Sequence, residues 1–211
     1  GGAITAVDSH ITSSATAAVL DYSSSSTLTL TSGSIVGEGT KGAIDVRSGS
    51  LVLLGGRVES RDDVAVYNDS SPYLSGAPTV TGVGADIYTE KPIYLSRGGV
   101  PYSSLEPMTV RYGETFSRGS CYEIFYTADP TSYSNVTLLD ALCREYSLTH
   151  LAGVGAVRLP YTVRYYTSDG LIATDECLSG ERSTPPTLED RLGYSFSGWY
   201  LDREGRVGYS T

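Results

Sequence analysis

The sequence predicts an all-β chain whose first half is a parallel β-helix, and three observations carry that prediction. The first is composition. Of 211 residues, 17 are Tyr and only 3 are Phe, 24 are Gly, and 18% are charged. That bias suits pleated, half-buried surfaces joined by turns better than it suits helices. The second is an internal repeat across residues 17–98. Leu30 and Leu53 are 23 residues apart, as are Gly33 and Gly56, and Ile35 and Val58. Leu53, Leu74 and Leu95 then recur at 21, Val58 and Val80 at 22, and Ile44, Val66 and Ile87 at 22 and 21. The third is the grammar of each unit, clear when residues 28–35 are set beside 51–58. A short strand is followed by a turn, a second short strand, a Gly-containing corner and a third apolar segment.

A period of about 21–25 residues with three short β segments per turn is that of a parallel β-helix. Alternate side chains point inward and each coil stacks on the next. A leucine-rich repeat has a similar period but needs an L-x-x-L-x-L and Asn pattern, which is missing. An antiparallel sandwich would show hairpin turns every 8–12 residues or so. The coils therefore place Leu30, Leu53, Leu74 and Leu95 in one interior column. If Leu74 and Leu95 point in, alternation turns Tyr73 and Tyr94 out; if Val66 and Ile87 point in, Tyr67 and Tyr88 point out. Such ladders either present flat ring faces to sugars or partners, or pack on one another and on neighbouring segments.

The helix occupies residues 1–101, and residues 102–158 read as a terminal coil and cap. Strands are expected at 108–112 and 122–126. Thr137, with Asp140 three residues on, is placed to cap a short helix, whose apolar face would be Leu138, Leu139, Leu142, Cys143 and Tyr146. A cap has a physical task, because open coil edges invite pairing with other strands.

Residues 159–211 form a separate module. Tyr161, Val163 and Tyr165 alternate with Thr162, Arg164 and Tyr166 at strand period. Ser168-Asp169-Gly170 is a turn signal, and 171–174 begins the return strand. Pro185-Pro186 marks an extended loop. Tyr194, Phe196 and Trp199 would supply the aromatic core, and Trp199 is expected to be largely buried with Tyr194 or Phe196, because so small a module needs large side chains. No closing strand is recognisable in residues 206–211.

The run Gly193-Tyr194-Ser195-Phe196-Ser197-Gly198-Trp199-Tyr200-Leu201-Asp202, led by the proline pair and the strand at 161–166, resembles the internalin-B-type B repeat (the Listeria–Bacteroides repeat). The resemblance spans 159–202, about a fifth of the chain. It implies a small, mostly β, β-grasp-like module with Gly193 and Gly198 at the family's backbone positions. It also implies a bacterial surface protein and neighbouring repeats in the full-length polypeptide. Runs such as Gly33-Ser34-Ile35-Val36-Gly37 and Pro78-Thr79-Val80-Thr81-Gly82 resemble right-handed β-helix regions of Gram-positive gut bacterial surface proteins, which implies that handedness here.

Net charge of −9 argues against nucleic acid, whose phosphates need a basic patch, and against anionic membrane surfaces. No apolar run approaches the 18 or so residues that a membrane-spanning helix requires. The chain opens at Gly1-Gly2 without Met, which reads as a processed or truncated chain whose targeting segment is gone. Cys121, Cys143 and Cys177 are odd in number and lack zinc spacing, so free or buried thiols are expected. If one bridge forms, it is Cys121–Cys143.

Catalysis has thin support. Parallel β-helices include polysaccharide lyases and hydrolases, which need clustered carboxylates. Arg61-Asp62-Asp63 with Glu59, and Glu38 or Asp45 from neighbouring coils, is the candidate cluster; a solvated corner is the plainer account. Only Lys41 and Lys91 occur in the chain, neither near it. His10 and His150 lie in different segments, with no triad or metal spacing. Gly37-Glu38-Gly39 lacks the ending of a phosphate loop. Asn135-Val136-Thr137 matches a glycosylation sequon, an accidental match in a bacterial protein. No cofactor and no metal are expected. The expected function is a non-catalytic extracellular protein, bacterial cell-surface or secreted. It is a stalk or adhesin presenting a binding surface for glycan or protein partners, with Tyr67, Tyr73, Tyr88 and Tyr94 as ligand-facing candidates. The alternative is a polysaccharide-acting β-helix enzyme or its carbohydrate-binding remnant.

Overall fold

The computed structural model describes residues 2–14, 16–21, 24–140, 143, 145–146, 148–151, 153–189, 192–193, 195–201 and 207–208. Two compact units emerge: Gly1–Phe116 with Cys121–Val157, and Ser117–Ser120 with Arg158–Thr211. The first is a parallel β-solenoid of about five turns.

Coil 1 comprises β1 (Ala3–Ala6), β2 (Ser9–Ser13) and β3 (Val19–Asp21); coil 2 comprises β4 (Thr27–Leu30), β5 (Gly33–Gly37) and β6 (Ile44–Val46). Coil 3 contributes β7 (Ser50–Leu53), β8 (Arg57–Ser60) and β9 (Val66–Asn68), and coil 4 contributes β10 (Tyr73–Leu74), β11 (Thr79–Thr81) and β12 (Ile87–Thr89). First strands stack into sheet A, second strands into sheet B and third strands into sheet C. Coil 5 keeps β13 (Ile93–Tyr94) in sheet A. It then departs into an antiparallel hairpin of β14 (Ser96–Arg97) and β15 (Val100–Pro101), and returns as β16 (Met108–Tyr112) in sheet C. Sheet B thus ends at β11, while β17 (Cys121–Tyr126) extends sheet A and β18 (Val136–Leu138) extends sheet C. The antiparallel pair β19 (Leu148–Leu151) and β20 (Val154–Arg158) finishes sheet A.

Register explains the core. Leu30 pairs with Leu53 and Leu53 with Leu74, and Leu30, Leu53, Leu74 and Leu95 are all completely buried. Sheet C carries a matching column of Ile44, Val66, Ile87, Val110 and Leu138, and sheet B one of Ile11, Ile35, Val58 and Val80. Period-2 alternation puts every second residue inside, and the coil repeat stacks like on like.

Corners impose their own chemistry. Gly33 and Gly56 sit at φ +88° and +77°, and a Cβ on Gly33 would stand 2.2 Å from the Ser9 carbonyl oxygen. Their 23-residue recurrence is therefore a backbone requirement. Ahead of sheet C, Ala17, Ala43, Ala65 and Ala85 line a buried turn, where the Ala43 N–H donates to Ala65 O at 3.0 Å and Ala65 N–H to Ala85 O at 3.1 Å. Buried Asp86 ties successive coils: Oδ2 accepts from the Thr109 amide (2.6 Å) and hydroxyl (2.9 Å), and Oδ1 from the Gly82 amide (2.8 Å). A buried carboxylate with three donors avoids most of its desolvation cost.

The helix expected from Thr137 is corrected. Thr137 is exposed and lies in β18, paired with Thr109, while Leu138 joins the interior column of sheet C. Tertiary pairing with an existing parallel edge outweighs a local capping pattern. Cys143 and Glu145 are helical, Cys143 is buried, and Leu142 lies outside the described residues. The cap that does form is at Asp129. It accepts from Thr131 N–H at 2.9 Å with Pro130 at the first position of a single 3-10 turn, and those bonds hold its carboxyl below the usual range.

The second unit is built on a hairpin of β21 (Tyr161–Thr167) and β22 (Gly170–Cys177), bulged between Tyr165 and Tyr166. Gly170 takes φ 118° at the turn. Buried Tyr165 shares a 2.5 Å hydrogen bond with Ser183 Oγ, which donates to Asp175 Oδ2 at 2.6 Å and so fastens the segment after β22 to the hairpin. Trp199 lies edge-on to Tyr165 (5.1 Å) and to Phe196 (5.5 Å). Trp199 keeps less than half of its surface exposed and meets Phe196 as expected, but Phe196 itself is 52% exposed and the buried ring is Tyr165. Tyr194 lies outside the described residues.

Leu74→Ala should cost about 2–5 kcal/mol, since it empties a fully enclosed position. Leu105→Ala, at an 87% exposed side chain, should stay within about 0.5 kcal/mol of the parent. Denaturant titrations of the two variants check the contrast, and equal losses would contradict the interior column.

Candidate functional site

The outward column of sheet A runs Thr29, Val52, Tyr73, Tyr94, Tyr126 in continuous register. Tyr73 and Tyr94 stack at 4.6 Å and 10°, and Tyr94 and Tyr126 meet at 4.8 Å and 38°. Parallel strands sit about 4.8 Å apart, so in-register rings on consecutive rungs are driven to stack. The consequence corrects the idea of flat faces offered to a ligand. Tyr94 is flanked by a ring on either side, and Tyr73 has Tyr94 on one side and buried Val52 as its register neighbour on the other. What half-buried Tyr73 and Tyr94 turn outward is ring edge and hydroxyl. Among the described residues these two hydroxyls carry no hydrogen bond. The Tyr126 hydroxyl donates to Glu123 Oε2 at 2.6 Å, which, with burial, raises its pKa. The Arg97 guanidinium lies 5.3 Å from the Tyr73 ring centroid.

The outward column of sheet C places Asp45, Tyr67, Tyr88 and Arg111 in register. It behaves differently. Tyr67 donates to Asp63 Oδ2 at 2.8 Å and Tyr88 to Glu90 Oε1 at 3.3 Å. Their rings tilt by 46° at 5.6 Å. The guanidinium of Arg47 sits 5.2 Å from the Tyr67 centroid, pairs with fully buried Asp45, and reaches Asp69 Oδ1 at 3.4 Å. Both tyrosine hydroxyls of this face are therefore engaged within the protein. Burial, then the Asp63 carboxylate, push the Tyr67 phenol up to about 12.

The candidate acidic cluster is divided by the fold. Glu59 pairs with Arg57 at 2.9 Å and Arg61 at 3.6 Å, and Arg61 also pairs with Glu38, all on the sheet B side. Asp63 turns to Tyr67, Asp45 belongs to sheet C, and Asp62 is exposed. Of the candidate cluster, Glu38 and Glu59 thus converge on the Arg61 guanidinium from neighbouring coils. His10 Nδ1 meets Ser34 Oγ at 2.7 Å and His150 Nε2 meets Thr127 O at 3.1 Å, in coil 1 and β19 respectively. Among the described residues no cluster of His, Cys, Asp or Glu could hold a metal. Cys121, Cys143 and Cys177 are free thiols. Burial, then Asp140, push Cys143 up to about 12. Asn135 is exposed and donates to Leu105 O at 3.2 Å.

Sequence reasoning found two rings of the sheet A ladder and missed the third, together with Arg97. Tyr126 follows Tyr94 by 32 residues, not 21, because the hairpin and a longer return loop lengthen coil 5. Only strand register exposes it.

A folded-state pKa of about 12 against the ordinary 10.0 gives Tyr67 a stability contribution with a definite sign. It is fully present below pH 10 and is lost as pH rises toward 12. Tyr67→Phe should therefore flatten the fall in unfolding free energy across that window, read from denaturant melts at several alkaline pH values. Parallel curves for parent and variant would contradict it.

No protein-family model matches the chain, and no curated protein and no solved structure proved similar enough to match it.

Proposed function

We propose that this chain is a non-catalytic display segment of a bacterial surface or secreted protein, acting outside the cell as a stalk or adhesin. The solenoid holds a binding strip on sheet A, and the B-repeat-like second unit is a spacer that neighbouring repeats would continue. One observation carries the reading. Tyr73 and Tyr94 bring hydroxyls with no hydrogen-bond partner among the described residues into a row whose spacing the coils set. Rigid, pre-positioned polar groups beside aromatic edges bind with little ordering cost. The ion pairs that occupy Glu38 and Glu59 add support, since they engage two of the carboxylates that the alternative enzyme would use. The partner class is a glycan or a surface protein. The acidic surface disfavours nucleic acid, and no helix among the described residues is long and apolar enough to cross a membrane.

Phenylalanine replacements separate binding from folding, because they keep ring stacking and delete only the hydroxyls. Tyr73→Phe with Tyr94→Phe should abolish retention on immobilised glycans or cell-wall material while leaving the melting temperature within about 2 °C of the parent. Retention that survives both substitutions removes the strip from the site. Product release from a polysaccharide panel, lost on Asp62→Asn or Asp63→Asn, would instead establish the enzyme.

A further inference from the structure

We infer that the sheet A strip is built for a glycan that carries a single carboxylate at one end, with Arg97 as its anchor; this rests on the binding role proposed above. In the first unit Arg47, Arg57 and Arg61 are all in ion pairs, and Arg111 donates to the Gly84 carbonyl at 3.2 Å. Arg97 stands apart: it is exposed, it contacts the Tyr73 ring, and among the described residues no carboxylate neutralises it. Arg111, Arg164 and Arg182 also lack an ion pair among the described residues; what distinguishes Arg97 is its contact with the Tyr73 ring, one end of the tyrosine ladder. A guanidinium against an aromatic ring is held in place with its N–H edge available, and that edge matches a carboxylate with two parallel hydrogen bonds.

Its placement is specified by the fold. Arg97 is the last residue of β14, directly before Gly98 and Gly99 at φ +59° and +81°. This hairpin is the interruption of coil 5 that ends sheet B. Its second strand is tied to the solenoid wall through Ser75 Oγ, which donates to Val100 O at 2.8 Å. The same hairpin therefore brings the cation to the Tyr73 end of the ladder.

The other end has opposite polarity. Tyr126 donates to Glu123, so the strip runs from a guanidinium past two free hydroxyls to a carboxylate. That gradient sets the ligand class. A chain bearing a carboxylate on every sugar would meet Glu123 and be repelled. A wholly neutral chain would leave Arg97 unused. A glycan with one terminal acidic sugar satisfies both ends, its carboxylate on Arg97 and its neutral hydroxyls donating toward Glu123.

The test is binding of the full chain to an array of three matched sets: neutral oligosaccharides, the same oligosaccharides ending in one carboxylated sugar, and oligouronates. The singly charged set should bind at least about tenfold more tightly than the other two. Arg97→Ala should erase that preference without changing the melting temperature, and methyl-esterified ligands should bind parent and variant alike. Equal binding of neutral and singly charged sets, or a preference that survives Arg97→Ala, overturns the inference while leaving the strip a glycan site. Tighter binding of oligouronates overturns it too. No binding in any set overturns the inference, and the glycan partner with it. Repeating the array with Glu123→Gln adds an independent reading: oligouronate binding should rise.

Discussion

Parallel strands hydrogen-bonded at about 4.8 Å impose one rung-to-rung distance on every side chain of the solenoid. Each position is thereby confronted with its own counterpart in the next coil, and residue choice becomes a question of what stacks on itself. Leucine and isoleucine do so inside, giving the columns through Leu53 and Ile87. Alanine does so where the backbone turns sharply ahead of sheet C, and glycine at Gly33 and Gly56, where a methyl group would meet the neighbouring coil's backbone. Tyrosine does so outside. The separation that suits backbone hydrogen bonds also suits offset aromatic rings, so a recurring outward tyrosine becomes a ladder without further instruction.

That constraint also governs polarity. A buried polar group cannot stack on its own copy unless both are satisfied, and buried polar residues such as Asp86, Ser75 and Thr89 find hydrogen-bond partners in a loop or a neighbouring coil. Asp86 has three such donors around it, and Thr89 returns its hydroxyl to Lys91 O at 2.8 Å. On the outer faces Arg61 reaches Glu38 of the preceding coil and Glu59 of its own. These exposed pairs add little to stability individually.

The second unit lacks this repetition and depends on a few specific contacts. A two-stranded hairpin is marginal alone. Here the Tyr165–Ser183–Asp175 hydrogen-bond chain and the edge of Trp199 fasten following segments to it. Hydrogen bonds from Ser183 and Thr184 hold Asp175 below the usual carboxylate range, which fits a carboxylate used as an acceptor hub.

The contrast between units marks what the amino-acid order determined by itself. Wherever the coil period held, periodicity was enough: Leu30, Leu53, Leu74 and Leu95 fall in one column, and Tyr73 and Tyr94 point outward, because alternation and repeat length follow from strand geometry alone. Wherever segments of unequal length were brought together, only the tertiary structure decided. Tyr126 completes the ladder across an irregular interval, Arg97 arrives on a hairpin that interrupts sheet B, and Thr137 becomes strand because an unpaired edge lay beside it. Asp62 and Asp63 are adjacent in sequence, yet the fold leaves one in solvent and gives the other to Tyr67. Whether the tyrosines offer faces or edges was equally beyond the sequence, since it depends on the distance between neighbouring rings, and backbone pairing sets that distance.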